Sequence, residues 1–550
     1  MKNTAKSIDR YKIRGVLCAV LALTALFSLC SCTKPSEGDV GATNLPVLLP
    51  TAEPSPTPIY GGKLFMSIPV NADISDPLSV NTEEMLHFFS LITESLVALD
   101  ETSMLTPELA ENWSCDETGR VWTFSIRSGV KWHETGRELS ADDIVYTIEK
   151  IASAEECYYK DCIESIEAYS APDDRTLVLT MKKAGLGPLF LLTFPIVCRE
   201  SDESRFAIGT GAYRVIAADS DSVMLRTNEH WWRQTPFIQS IECLCRESNE
   251  VALASYSAGQ LNFVSTSTLH SGRFRAEKET TVTDIMTQNA EVMLFSSKSS
   301  LMQDAAMRKA IAYSLNRSKV ISNIYMNKAR SSDVPIAPDS WLYDGKFKIY
   351  DYDRERALSM YDELGWKDID GDGILEDKTN INREMKLSIL VSYTTEAPTR
   401  NDAAEQFAAQ LNAIGINTEM IRAEHRINSD DSEYMRLLGE GGYDIAFSGF
   451  CFGQNCDFTE YFAADGKNNY GGFASARLAA LADEIGAQTD VALMREAAQS
   501  FMAQFLEELP FMVLYFRLDS VVHTSKLADV GTLREPDIFR NIQRWYMAEP

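Results

Sequence analysis

Apolar and polar residues alternate along 121–126 (VWTFSI), which predicts a half-buried strand. A turn precedes it at 116–120 (DETGR), where Gly119 is free to take positive φ. A second short strand is expected at 130–132 (VKW), then a Gly-centred turn at 134–137. At Ser140 the period changes. Ser140 can cap a helix, Asp142 and Asp143 fall in its first turn, and Ile144, Val145, Ile148 and Ile151 continue at helical spacing. The same criteria predict strands over 63–68, 175–181, 416–421, 443–447 and 511–516. They predict helices over 86–99, 352–364, 401–414, 478–485 and 494–508. Helix 401–414 has the clearest stripe, formed by Ala404, Phe407, Ala408, Leu411 and Ile414 and ended by Gly415. Strands interleaved with helices over 550 residues indicate an α/β protein of more than one lobe.

The N-terminus breaks this pattern. Lys2, Lys6, Arg10, Lys12 and Arg14 precede an apolar run over 16–29, the order of a signal peptide and too short for a comfortable membrane span. It ends in Leu29-Cys30-Ser31-Cys32, which resembles a bacterial lipobox and implies a signal peptide over 1–31 and lipidation at Cys32. Several acyl chains on one cysteine would anchor the chain stably at a cell membrane. Residues 32–58 read as a tether. Pro35, Pro46, Pro50, Pro54, Pro56 and Pro58 favour extended chain, and the 26 residues after Cys32 could reach roughly 80 Å at about 3.1 Å each.

The net charge of −27 argues against nucleic acid and anionic headgroups as partners. Eight cysteines follow Cys32 and none is spaced C-x-x-C, so zinc and thioredoxin-like chemistry have no support. Cys157–Cys162 and Cys451–Cys456 are local disulfide candidates, with buried free thiols equally open.

Pro107-Glu108-Leu109-Ala110, Trp113, Thr123-Phe124, Arg127, Gly129-Val130, His133, Gly136 and Ser140-Ala141-Asp142-Asp143 resemble the signature of extracytoplasmic solute-binding proteins of family 5, receptors of oligopeptide, dipeptide and nickel ABC importers. The likeness continues through Gly209–Tyr213 (GTGAY), Asn228–Trp232 (NEHWW) and the helix around 307–317, over roughly 60–520. It implies a bilobal, periplasmic-binding-protein-like fold of the large type, with mixed sheets flanked by helices. Lobe I would take 59–285 and 520–550, with an extra subdomain at 78–202. Lobe II would take 286–519, with hinge strands near 285 and 519. It implies a monomeric binding protein, not an enzyme, without a cofactor. Such a protein would sit lipid-anchored on the extracytoplasmic face and deliver a peptide-like solute to an ABC permease and ATPase. An oligosaccharide or chelated metal, or a tethered receptor without an importer, is the alternative.

Candidate chemistry is sparse. The glycines of Gly209–Tyr213 do not make a dinucleotide loop, because Arg214 occupies the third glycine position. Asp368, Asp370 and Asp372 imitate the start of a calcium loop, but Thr379 stands where a bidentate acid is needed, so 368–373 reads as an acidic turn. No H-E-x-x-H, G-x-S-x-G or Walker motif occurs, and His133 reads as structural. Ligand contact is expected after the strand at 443–447, where α/β sheets present crevices: Ser448, Phe450, Phe452, Gln454 and Asp457. Phe450 stands where the family has a tryptophan. The family's amine-binding aspartate would fall three residues on, at Gly453, which has no side chain. The resemblance therefore implies a peptide-like solute whose amino end is held otherwise or is not free. Asp457 also begins an Asp457-Phe458-Thr459-Glu460 capping box.

Overall fold

A computed structural model describes residues 58–200, 204–393, 398–425 and 432–548. The signal peptide, Cys32 and nearly all of the tether lie outside the described residues. None of the helices among the described residues is long and apolar enough to cross a membrane.

Three sheets carry the fold. The first has the strand order Lys63–Pro69, Ser240–Arg246, Ser222–Thr227, Tyr213–Ala218. The second pairs Ala110–Cys115, Val121–Ile126, Thr176–Met181 and Ile166–Asp173 in an antiparallel sheet. The signature helix Ala141–Ser153 covers it, burying Ile144, Ile148 and Ile151. The third sheet has seven strands, with Thr280–Phe295 and Phe511–Thr524 near its middle.

These two strands carry the architecture. They are 16 and 14 residues long and paired antiparallel, with Ile285 opposite Asp519. On one side of that pair, Ile285 and Val521 belong to the core of the first sheet. On the other, Met293, Phe295, Met512 and Phe516 belong to a core shared with Phe407, Ile445 and Phe501. Their register slips between Met286 and Ala290. A bulge here leaves Thr287, Gln288 and Asn289 out of the pairing with strand 511–524, although Asn289 still pairs with Cys451, and bulges of this kind commonly sit beside a site.

Helix 141–153 starts at Ser140 as expected, with Asp143 Oδ2 accepting the Ser140 N–H at 3.0 Å. Three expectations need correction. The helix placed at 86–99 is Glu83–Ser90, capped by Thr82, and Val97–Leu99 is a strand. The carbonyls of Leu91 and Ile92 accept the Tyr213 and Gly211 N–H groups at 2.9 and 2.8 Å instead of continuing the helix. A Cβ on Gly211 would lie 2.8 Å from the Ile92 carbonyl, so the glycines of this loop serve close packing. The helix around 307–317 is two helices, Ala305–Ser314 and Arg317–Asn323. Asn316 caps the second, accepting the Lys319 N–H at 2.9 Å. Residues 130–132 make only an isolated bridge, Lys131 to Glu138.

His133 is structural. Its Nε2 lies 3.1 Å from the Gly211 carbonyl, and burial lowers its pKa to about 4. The eight described cysteines are free thiols. In the 368–373 turn, Asp368 accepts the Gly371 and Gly373 N–H groups, and Asp372 accepts that of Ile374. Asp368, Asp370, Asp372 and Glu376 gather within 4.8 Å, but these bonds account for the turn without an ion.

Candidate functional site

A cavity of about 380 Å³ opens where the long strands are unpaired. One wall is the bulge, with Gln288 and Asn289, and the segment after strand Ile445–Cys451, with Phe452, Gly453 and Gln454. The Phe452 N–H donates to the Gln288 carbonyl at 3.0 Å and ties the two together. The facing wall is helix Glu83–Ser90, then Glu94, Trp231 and the C-terminal stretch around Arg534–Ile542.

The polar groups of this wall are largely fixed. Glu94 accepts from Trp231 Nε1 at 3.0 Å, Trp232 Nε1 at 2.9 Å and Thr210 Oγ1 at 2.8 Å. Burial, and then the charge of Glu108, push its carboxyl up to about 8. Glu108 is held by Arg233 and, at 3.5 Å, by Arg540. Arg534 pairs with Asp339 at 2.7 Å and donates to Ser103 Oγ at 2.7 Å. A signature residue thus lines the cavity, but as the partner of a fixed arginine.

A second group sits at the helix 83–90 corner. His87 Nε2 is 3.0 and 3.1 Å from the two oxygens of Glu535. Burial alone would lower the pKa of His87, but the charge and hydrogen bond of Glu535 raise it to about 9. Burial, then the neighbouring charges of Asp519 and Glu535, push Glu83 up to about 8.

Of the residues expected to touch ligand, the structure puts Phe452 and Gln454 on this cavity. Ser448 is half-buried mid-strand opposite Val292. Phe450 is buried behind the wall among Phe452, Tyr461, Tyr470 and Phe511, with ring centres 4.9–6.1 Å away. Asp457 lines a different cavity of about 430 Å³. Its Oδ1 accepts the Thr459 N–H at 3.1 Å, and its Oδ2 accepts from Lys183 Nζ at 2.9 Å. Burial works against this carboxylate, but Lys183 and Thr459 hold it below the usual range.

Glu83, His87, Glu535, Gln288 and Asn289 were missed. Glu83 and His87 are spaced i, i+4 and share a helix face, a usable signal. A bulge and a contact from residue 535 leave no local mark.

Beside the second cavity the segment after strand 176–181 docks on helix Ala476–Ala487. The Leu186 N–H donates to the Gln488 carbonyl at 2.8 Å. A Cβ on Gly187 would lie 2.7 Å from Gly486 Cα, and one on Gly185 would collide with the Gly486 carbonyl. Lys183 reaches Asp457 and Asp483, both at 2.9 Å. Backbone lies against backbone here, a fit that glycine alone permits.

The arrangement suits binding: aromatic faces, fixed carboxylates and two facing walls. The family description "Bacterial extracellular solute-binding proteins, family 5 Middle" matches residues 104–470. The chain is 22% identical over 507 residues to the oligopeptide-binding protein AppA of Bacillus subtilis, covering 86% of this chain and 88% of that one. The structure of that AppA with a nonapeptide superposes with a TM-score of 0.61 at 20% identity, covering 90% of this chain and 100% of that one. A nickel ABC transporter structure from Bacillus halodurans gives a TM-score of 0.74 at 17% identity, covering 86% and 97%. The chain belongs to the bacterial extracellular solute-binding proteins, family 5.

Proposed function

We propose that this protein captures a peptide or peptide-like solute in the 380 Å³ cavity and delivers it to an ABC permease and ATPase. The observation that carries this reading is the cavity's place at the break between the two long strands, in a chain aligned over 86% of its length with an oligopeptide-binding protein. Lobe I is 59–285 with 520–550, including the extra subdomain 78–202, and lobe II is 286–519. The Ile285–Asp519 pair marks the hinge. Phe452 and Gln454 contact the solute, while Ser448, Phe450 and Asp457 support the wall or the second cavity. Calorimetry with a mixed oligopeptide library tests this. Saturable binding is expected, and no heat at any concentration would refute it. A chelated metal is the second reading, favoured by the likeness to the Bacillus halodurans protein.

The chain works from a lipid anchor at Cys32. Cys32→Ala is expected to release the protein from the membrane fraction. Retention with no acyl mass on residue 32 would contradict the anchor.

A further inference from the structure

The charges on the cavity's walls do not balance. Its arginines, Arg233, Arg534 and Arg540, are already paired with Glu108 or Asp339, and among the described residues no lysine lines it. None is left for a ligand's carboxylate. At one corner Glu83 and Glu535 face the cavity, and with Asp519 behind them these three carboxylates outnumber the one imidazole, His87, that pairs there. Behind them Asp519, 6% exposed, shares a hydrogen bond with Glu83. His87, 1% exposed, is engaged through Nε2 by Glu535, and its Nδ1 is buried without a hydrogen-bond partner. One ligand atom from each of Glu83, His87 and Glu535 lies within 4.8 Å of the others. A single N⁺ centre at about 2.7–2.9 Å from each of two carboxylates fits that span.

We propose that the Glu83–Glu535 corner receives a positively charged nitrogen of the solute, an ammonium or a guanidinium. The corner supplies from the helix 83–90 wall the anchor that Gly453 does not supply from the other. This rests on the peptide reading above. The groups around Glu83 are His87 on its own helix, Asp519 on strand 511–524, Glu535 on the C-terminal stretch and Tyr158, with Arg517 beside Asp519 and Asp537 beside His87. These acids are crowded, and burial with the Asp519 and Glu535 charges pushes Glu83 up to about 8. An arriving cation takes the place of the Glu83 proton. A buried cation is tolerated only when paired, so the corner selects for charge as well as shape.

Three peptide libraries, run by calorimetry on the full chain, form the test. One has free amino ends and no Lys, Arg or His. The second is the same set N-acetylated. The third is N-acetylated with internal Lys or Arg. Zinc or nickel chloride without peptide is the fourth arm. The first or third library is expected to bind roughly thirtyfold tighter than the second. Glu83→Gln and Glu535→Gln are expected to remove that advantage, and an unchanged urea unfolding midpoint shows that the variants fold. Equal affinity for all three libraries would overturn the charge assignment alone. Equal loss for charged and uncharged peptides in the variants would assign the corner a structural role. Metal binding without peptide, abolished by Glu83→Gln, would make it a metal site instead. No binding of any library would sink the peptide reading and this inference with it.

Discussion

Gly187→Val is expected to weaken solute binding by roughly 5- to 150-fold without touching any cavity side chain. Gly187 has no positive φ, so the larger residue is not refused by its own backbone. The obstacle lies across the contact, where its Cβ would meet Gly486 Cα at 2.7 Å. Overpacking of this kind costs about 1–3 kcal/mol. That cost falls on the state in which Leu186 reaches Gln488 and Lys183 reaches Asp457 and Asp483. If that state is the ligand-holding one, affinity falls with its population, tenfold for each 1.4 kcal/mol. Calorimetry and small-angle scattering read the two consequences: lower affinity, and a larger radius at a given ligand concentration. Full affinity with an unchanged radius would show that this contact has no part in closure.

Asp333→Ala is expected to cost about 3–5 kcal/mol of stability, because it strands a buried guanidinium. Asp333 and Arg317 are 1% and 4% exposed, and their charged atoms are 2.6 Å apart. Asp333 Oδ2 also accepts the Ile349 and Tyr350 N–H groups at 2.5 and 2.8 Å. Arg317 donates to the Ser332 and Tyr350 carbonyls, both at 2.7 Å. The pair thus pins helix Arg317–Asn323 to the loop that returns at Tyr350. Urea unfolding measures the loss. Asp344→Ala, which removes a cap and a solvent-screened ion pair, both to Lys346, serves as the control and should change stability by less than about 1 kcal/mol. Equal midpoints for the two variants would contradict the ranking.

The fold was legible where one period ran uninterrupted. Strand Val121–Ile126, strand Thr176–Met181 and helix Pro398–Ala413 lie within a few residues of their expected places, since each buries one face against one neighbour. The helix expected at 86–99 ends early because its end is set by backbone partners at 211 and 213, not by a local stop. The 307–317 region was read as one helix because Asn316, a good cap, sits inside an apolar run. The capping box expected at Asp457 does not form: only a short 3-10 turn, Thr459–Tyr461, follows, its cap position is Phe458, and Asp457 instead accepts the Thr459 N–H and pairs with Lys183, 274 residues away in the chain. Phe450, on strand Ile445–Cys451, and Phe452, just after it, are both buried aromatics two residues apart, and sequence cannot tell which lines the cavity. The Glu83 corner draws on positions 83, 87, 519 and 535. Only its i, i+4 half is local, so the rest appears only once the strands have crossed.

The central claim is that the cavity holds a peptide-like solute. Mass spectrometry of the material released on denaturing the purified protein tests it most directly. Masses that fragment as peptides are the expected result. A released oligosaccharide or metal chelate in place of peptide would contradict it.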